Sequence, residues 1–271
     1  MIKINGKEVK TFNFSGGEVN PTLPEGLKSG PFKVLAYLQS SDDIMNLLMV
    51  IDAIKRNFGD YEINLTVPYL PYARQDRMCN PGEAIGINVL LKLLSGKVAS
   101  ITTVDAHNPN ACKIAFDNFK VRNIPPSSFI GEYMAFSHDA ILVAPDAGST
   151  ENVSMLAKTL GVDYIQGNKV RDTKTGKLSA FSVDIRGVLA IGRPFIIVDD
   201  ICDGGGTFLG LHAELEKLYP KSVDLYVTHG IFSKGYDTLL GKFNTIYTTD
   251  TFLKEHDKNI KILKVIRDVY L

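Results

Sequence analysis

The sequence lacks four features that would have pointed to other classes of protein. Its 30 basic residues are balanced by 30 acidic residues, so no excess of positive charge favours nonspecific binding of nucleic acid. No apolar run approaches the ~18 residues of a membrane-spanning helix. The N-terminus, MIKINGKEVK, has no apolar core, so we expect no secretory signal. The 3 cysteines have no C-x-x-C spacing, which favours reduced thiols in a cytoplasmic protein over a disulfide framework or a zinc site.

The 271 residues are enough for one large domain or two modest ones, and 45% apolar and 22% charged residues are typical of a globular chain. Short runs rich in branched residues alternate with helical patterns, which predicts an α/β protein with mostly parallel sheets. In Ser41–Asn57 the apolar residues recur on one helical face, and Ser41 is the predicted cap. The predicted strands are Lys33–Leu38, Ile63–Val67, Ala99–Val104, Ala140–Ala144, Phe195–Val198, Val223–Thr228 and Ile260–Val265, and the other predicted helices are Ala84–Leu94, Glu151–Leu160 and Thr207–Tyr219.

Two adjacent prolines mark the predicted domain boundary. Pro125 and Pro126 interrupt both the helical and the strand pattern, which divides the chain into an N-terminal domain (residues 1–124) and a C-terminal domain (residues 125–271). Open parallel sheets bind ligands beyond the carboxyl ends of their strands. The polar residues that follow each apolar run are therefore the candidate site residues.

The strongest candidate motif follows the apolar run Phe195–Val198. Two adjacent carboxylates, Asp199 and Asp200, end this predicted strand, and a glycine-rich loop leads into a helix. Glycines let backbone N–H groups crowd around one point, and a helix N-terminus adds partial positive charge, so the motif predicts a phosphate cradle beside acceptors for ribose hydroxyls. It matches neither a Walker A loop nor G-x-G-x-x-G. The loop residues are Asp203, Gly204, Gly205, Gly206 and Thr207.

A second motif, VPYLPYARQDR, covers residues 67–77 directly after another predicted strand. Arg74 and Arg77 lie three residues apart and offer paired guanidinium forks for a polyphosphate. Gln75 and Asp76 lie between them. The string therefore indicates a second phosphate-binding site, on the N-terminal half of the chain.

Together the two motifs resemble the ribose-phosphate diphosphokinase family, also called phosphoribosyl diphosphate (PRPP) synthetases. The glycine loop is similar to the family's PRPP loop, and VPYLPYARQDR is similar to its ATP-site signature. The resemblance continues in chain order over nearly the whole sequence. Its other positions are Phe14 and Glu18 in a loop that holds adenine across a subunit boundary, His107 at a catalytic and metal position, Asp146 in a ribose and metal loop, and Lys169 and Arg171 in a flexible catalytic arm.

The resemblance implies two domains of the type I phosphoribosyltransferase fold. It implies transfer of the β,γ-diphosphate of ATP to the C1 hydroxyl of a ribose 5-phosphate group, with release of AMP and with Mg²⁺ bound near His107 and Asp146. The segment 167–177 is rich in Gly, Asp, Thr and Lys, which predicts a mobile lid over the phosphates. The expected partners are ATP, the sugar phosphate and further copies of the chain, as a dimer or hexamer with shared ATP sites.

Several positions depart from the family pattern. Gly204 stands where threonine is usual, Gly16 where an acidic residue is usual, and Asn152 where arginine is usual. Only thirteen residues precede Phe14, and the helix expected after Val265 is cut to a stub. Two lost phosphate donors leave the acceptor open: ribose 5-phosphate, or ADP-ribose in an NAD salvage pathway of the kind that phages encode, which would place the protein in the host cytoplasm.

Two other functions fit parts of the sequence. A non-catalytic regulatory relative would have no reason to keep both charged pairs, Arg74 with Arg77 and Lys169 with Arg171. A phosphoribosyltransferase shares the Asp-Asp loop but has no need of the ATP signature. We assign structural roles to the cysteines and to the remaining histidines, which are His138, His212, His229 and His256.

Overall fold

The computed structural model describes residues 1–110, 120–134, 137–171, 178–252 and 257–270. The chain forms two compact units, the first mainly Met1–Pro125 and the second mainly Pro126–Asp250. The chain from Val265 onward groups with the first unit, whereas the sequence analysis assigned it to the C-terminal domain. Within the described ranges, no helix combines the length and the apolar character that crossing a bilayer requires.

A six-stranded sheet lies at the centre of the N-terminal unit. The strands of this unit are β1 (Ile2–Ile4), β2 (Lys7–Glu8), β3 (Lys10–Asn13), β4 (Val19–Thr22), β5 (Phe32–Ala36), β6 (Ile63–Thr66), β7 (Ser100–Val104) and β8 (Lys120–Ile124). The sheet order is β2-β1-β5-β6-β7-β8, and the last four strands are parallel. β1 pairs antiparallel with β2 and β5, while β3 and β4 form a separate hairpin. The described helices of the unit are α1 (Ser41–Phe58), α2 (Gly86–Leu94) and the terminal α7 (Ile266–Tyr270).

Helix α1 shows how local sequence and burial agree in this unit. Ser40, rather than the predicted Ser41, caps the helix: its hydroxyl accepts from the Asp43 N–H at 3.2 Å, and the Asp43 carboxylate accepts from the Ser40 N–H at 2.9 Å. This reciprocal pair is a capping box. The apolar face is buried as predicted, including Leu47 and Ile51, and therefore covers the sheet with the helix's own hydrophobic stripe.

A seven-stranded sheet lies at the centre of the C-terminal unit. Its strands are β9 (Ile141–Ala144), β10 (Asp163–Arg171), β11 (Leu178–Asp184), β12 (Pro194–Cys202), β13 (Ser222–Gly230), β14 (Ile246–Thr249) and β15 (Ile260–Leu263). The order is β11-β10-β9-β12-β13-β14-β15, and every pairing is parallel except that of β10 with β11. The described helices are α3 (Ile130–Tyr133), α4 (Thr150–Leu160), α5 (Gly206–Leu215) and α6 (Asp237–Leu240).

The predicted α/β class with mostly parallel sheets is confirmed, and each predicted strand has a counterpart within a few residues. Residues 167–171 belong to strand β10 rather than to a loop, because β11 pairs with them, and 172–177 lies outside the described residues. The lid over the phosphates stays a prediction. The sequence analysis did not predict strands β1, β2, β3, β4, β8, β11 and β14. Five of them, β1 to β4 and β14, have only two to four residues, which are too few to show a period.

Candidate functional site

The two carboxylates of the glycine-loop motif lie near the carboxyl end of β12, as the sequence predicted. Asp199 and Asp200 are partly buried, and the Asp200 N–H donates to the Asp199 carboxylate at 3.1 Å. Burial raises the pKa of Asp199 well above its usual range, and the negative charges of Asp200 and Asp146 raise it further. The sheet thus brings three acidic side chains from two neighbouring strands to one place, which favours a ligand with hydroxyl donors or a cation.

Asp146 follows β9 and shapes the loop that leads into α4. Its carboxylate accepts from the backbone N–H groups of Gly148 (3.0 Å) and Ser149 (3.2 Å), and its carbonyl accepts from the hydroxyls of Ser149 and Thr150. These bonds hold the carboxylate at the helix entrance. Asp146 is therefore fixed in position toward the acidic pair.

The glycine loop joins β12 to α5 in the form that a phosphate cradle needs. Gly205 is the N-cap residue and has a φ of 76°, a left-handed backbone conformation that residues with a Cβ atom rarely adopt. No side chain caps α5 among the described residues, so its first-turn N–H groups point toward the loop without a side-chain acceptor. An anion beside Gly206 and Thr207 would satisfy them.

Cys202 lies between the acidic pair and the loop, but it is no nucleophile. It is fully buried, and burial, with the charges of Asp199 and Asp203, raises the pKa of its thiol to about 12. The thiol therefore stays protonated at neutral pH. This agrees with the structural role that the sequence analysis gave it.

The predicted catalytic arm is an antiparallel pair of strands. Lys169 and Arg171 end β10, where Lys169 pairs with Phe181 and Arg171 with Leu178 of β11; the side chains of Lys169 and Arg171 lie outside the described part of the chain. Phe181 packs against Gly210 of α5 so closely that a Cβ at Gly210 would overlap its ring. The register of the arm is thus tied to the helix that begins at the glycine loop.

In the N-terminal unit, the ATP-signature residues form a turn after β6. Tyr72 has a φ of 62°, and the Gln75 N–H donates to its carbonyl at 2.8 Å, which closes the turn. Gln75 packs against Gly86 at the start of α2. Arg74 and Arg77 are exposed and form no ion pair with any described residue. Their charges are therefore available to a ligand.

His107 lies on the neighbouring strand end, after β7. Asp105 has a φ of 43° there, and its N–H donates to the Ile124 carbonyl at 2.8 Å, which turns the chain out of the sheet. The Asn108 amide donates to the Asp76 carboxylate at 2.6 Å and so links this strand end to the arginine turn. Sequence reasoning missed Asn108; its only signal was its place directly after His107.

The predicted adenine loop is the tip of the β3–β4 hairpin. The Phe14 N–H donates to the Glu18 carbonyl and the Gly17 N–H donates to the Phe14 carbonyl, both at 2.8 Å. The rings of Phe12 and Phe14 contact each other edge to face, with centroids 4.6 Å apart, although each is 51% exposed. The loop thus leaves aromatic surface exposed.

The predicted site residues fall into two groups, one in each unit. The first group consists of the arginine turn and the strand end that carries His107. The second group consists of Asp146, the acidic pair and the glycine loop. His107 and Asp146, the two predicted metal donors, belong to different units. Among the described residues, no three His, Cys, Asp or Glu side chains are grouped to hold a metal by themselves.

Two family models match the chain. The N-terminal domain of ribose phosphate pyrophosphokinase matches residues 1–97, and the phosphoribosyl transferase domain matches residues 127–255.

Curated relatives and a solved structure extend this similarity over most of the chain. The ribose-phosphate pyrophosphokinase of Pyrococcus furiosus is 32% identical over 208 residues, which is 76% of this chain and 72% of the relative. Ribose-phosphate pyrophosphokinase 2 of Archaeoglobus fulgidus is 30% identical over 256 residues, or 92% of this chain and 86% of the relative. The crystal structure of phosphoribosylpyrophosphate synthetase from Mycobacterium smegmatis has the same fold, with a TM-score of 0.81 at 24% identity over 97% of this chain and 88% of that one.

Proposed function

The chain belongs to the ribose-phosphate pyrophosphokinase family of transferases, and from this we propose that it transfers the β,γ-diphosphate of ATP to the C1 hydroxyl of ribose 5-phosphate. The observation that carries the proposal is the acidic pair at the end of β12 followed by an uncapped helix N-terminus at the glycine loop. Carboxylates accept from sugar hydroxyls, and the loop N–H groups donate to a phosphate. The acidic pair therefore suits the hydroxyls of ribose 5-phosphate, and the glycine loop suits its phosphate.

The acceptor's orientation depends on the second unit alone. Asp199 and Asp200 accept from the ribose 2- and 3-hydroxyls, while the backbone from Asp203 to Thr207 holds the 5-phosphate. Fixing both ends of the sugar places C1 for attack, and positioning of this kind supplies much of the rate enhancement in phosphoryl transfer. The C1 oxygen forms a bond to the β-phosphorus, the bond from that phosphorus to the oxygen of AMP breaks, and the hydroxyl proton is released.

The negative charge on ATP is matched by positively charged side chains of this chain. Arg74 and Arg77 bind the triphosphate, and Gln75 and Asp76 fix the turn that carries them. We assign to Lys169 and Arg171 the stabilisation of negative charge on the transferring group, which their place at the end of β10 supports. His107 precedes Asn108, whose amide is bonded to Asp76 of the arginine turn, and it would contact ATP or its metal.

Magnesium fits the acidic group of the second unit. The charges of Asp200 and Asp146 raise the cost of ionising Asp199, and a divalent cation with hard oxygen ligands would relieve that repulsion. Mg²⁺ that keeps ATP oxygens and waters needs only one or two carboxylates. Bound there with ATP, the ion would neutralise charge on the phosphates.

The exposed hairpin supports a shared ATP site between copies of the chain. Phe14 and Glu18 occupy its tip, where an aromatic face and a carboxylate suit an adenine base with its exocyclic amine. An aromatic pair that stays half exposed gains stability when a second subunit covers it. The assembly therefore forms a dimer or a hexamer in which one subunit's hairpin closes another's ATP site.

The test is a product assay with one acceptor at a time. Purified protein receives Mg-ATP with ribose 5-phosphate or with ADP-ribose, and AMP and the sugar diphosphate are quantified by chromatography. We expect equal amounts of AMP and PRPP from ribose 5-phosphate. AMP from ADP-ribose alone would assign the chain to the other acceptor, and no AMP from either would favour the regulatory relative.

A further inference from the structure

A turn after β13 is fastened to the glycine loop. The backbone N–H groups of Ile231 and Phe232 both donate to the Cys202 carbonyl at 3.0 Å, and the Ser233 N–H donates to the Asp203 carbonyl at 3.1 Å. The Gly235 N–H closes the turn by donating to the Phe232 carbonyl at 3.0 Å. The turn is therefore held at the loop by backbone contacts.

This turn carries Lys234 over the first glycine of the loop. A Cβ built on Gly204 would lie 3.3 Å from both Cδ and Cε of Lys234 and 3.6 Å from its Cγ. The aliphatic stem thus crosses the face of Gly204, in the space that a side chain there would need. Because the ammonium is one bond beyond Cε, it lies within roughly 5 Å of that position. Lys234 is exposed, and no ion pair holds it elsewhere in the described chain.

We propose that Lys234 is a specificity-determining residue whose ammonium binds the 5-phosphate of the acceptor, and this inference rests on the function proposed above. The three glycines supply backbone N–H groups but no side-chain donor, and Thr207 adds a single hydroxyl. A lysine at the loop adds a full positive charge with three N–H donors. Gly204 and Lys234 thus act together, because the absent side chain makes room for the stem.

The same geometry selects among acceptors. A terminal phosphate monoester carries a charge of about −1.5 to −2 at pH 7. A phosphate that is linked to a second group carries only one negative charge. The ammonium therefore binds a terminal 5-phosphate more strongly. The stem also occupies the space that a larger substituent on the phosphate would enter. Lys234 consequently favours ribose 5-phosphate over a sugar whose phosphate is extended, such as ADP-ribose.

Substitution of Lys234 by methionine tests the proposal, because methionine keeps much of the stem and removes the charge. For Lys234→Met we expect the KM for ribose 5-phosphate to rise about tenfold, with kcat changed less than twofold and the KM for ATP unchanged. Lys258→Met is the matched control, since Lys258 is an exposed lysine before β15 in the same unit. Its kinetic constants should equal those of the wild type. An unchanged KM for ribose 5-phosphate in Lys234→Met would overturn the proposal.

A reciprocal substitution separates binding from folding. Gly204→Thr alone places a side chain against the stem of Lys234 and should weaken acceptor binding, whereas Gly204→Thr combined with Lys234→Met supplies a hydroxyl donor in the vacated space. The double variant should bind the acceptor at least threefold more tightly than Lys234→Met does. If the losses of acceptor affinity in the two single variants multiply in the double variant, the two positions do not act on the same phosphate.

Calorimetric titration with ribose 5-phosphate keeps this inference distinct from the proposed function. If the wild type binds ribose 5-phosphate about tenfold more tightly than Lys234→Met, the role of Lys234 stands even where no AMP is formed. If the wild type and Lys234→Met bind it equally, or neither binds it, the role is wrong whatever the activity. Titration with inorganic phosphate as a second probe should show the same order of affinities.

Discussion

The two groups of site residues use opposite physical devices. In the N-terminal unit, Arg74 and Arg77 stand exposed on a turn, with their charges in solvent and without ion pairs in the described chain. In the C-terminal unit, Asp199 lies at a strand end where burial raises its pKa well above the usual range, beside a loop of backbone donors. The first group has little effect on the free energy of unfolding, whereas the buried Asp199 of the second group lowers it.

The two groups should therefore respond differently to mutation. Exposed cations without partners can be removed with loss of function alone, since nothing in the fold depends on them. A buried carboxylate with acidic neighbours opposes folding, so its removal should stabilise the protein while it disables the site.

Removal of the arginine pair should have the largest effect on activity. Arg74→Met and Arg77→Met should each lower kcat/KM for ATP by about 10²-fold, because each removes a charge-assisted contact to the triphosphate. The melting temperature should remain within about 2 °C of the wild type. Steady-state kinetics and thermal unfolding measure the two quantities. Arg56→Met, which removes an exposed pair with Asp52 on α1, is the control and should alter neither. A marked loss of stability in the arginine variants would remove the contrast between the groups.

Asp199→Asn should lower kcat about 10- to 100-fold and raise stability at neutral pH. Because the pKa of Asp199 is raised in the folded state, the folded protein keeps this proton to higher pH than the unfolded chain. Its contribution to the free energy of unfolding therefore falls as pH rises from the ordinary value of 3.8 through the raised pKa, and asparagine should abolish that fall.

Urea unfolding at several pH values between 4 and 8 measures this dependence. At pH 8 we expect a gain of at least about 1 kcal/mol, the usual scale for a buried group without its full set of partners. Asp60→Asn is the control, because that side chain is 94% exposed. A variant that is less stable than the wild type at pH 8 would show that Asp199 supports the fold.

Overfilling the contact between α5 and the arm should have an intermediate effect. In Gly210→Val the added side chain collides with Phe181, which pairs with Lys169 across the arm, so kcat should fall about tenfold. Overpacking of this kind also costs about 1–3 kcal/mol of stability. Phe181→Ala in the same chain removes the collision and should restore part of both losses. A double-mutant cycle in kcat and in urea unfolding measures the coupling, and additive losses would contradict it.

Loss of the link between the strand end and the arginine turn should have the smallest effect. Asn108→Ala removes the 2.6 Å hydrogen bond to Asp76 and should raise the KM for ATP about two- to fivefold, with about 1 kcal/mol lost in stability. Asn108→Asp should be worse on both measures, since it places a second negative charge beside Asp76. If both variants bind ATP as the wild type does, the turn holds its shape without Asn108.

Much of the fold followed from short windows of sequence. The apolar face of α1 and the strand ends at Val104 and Ala144 carry their signal within about fifteen residues. The glycine loop was equally clear, because Gly205 needs a left-handed φ and three glycines in a row are rare in an ordinary turn. These features depend on local sterics and on the helix and strand periods.

The arm and the cap of α1 show where this reasoning failed. Composition made 167–177 read as a mobile loop, but in residues 167–171 pairing with β11 outweighs the weak strand propensity of Gly167 and Asn168. Ser40 caps α1 although Ser41 is an equally good capping residue by type. In that case the reciprocal bond to Asp43 decides, since only a spacing of three residues lets both bonds form.

By itself, the sequence determined the α/β class, the family and the chemical character of each motif, because residue type and local spacing are enough for these. Only the tertiary structure decided which motifs meet. The sheet order places Asp146 against Asp199, 53 positions apart by residue number, and backbone bonds to the glycine loop place Lys234 over Gly204. Such contacts depend on strand order and on the path of loops, which no local period records.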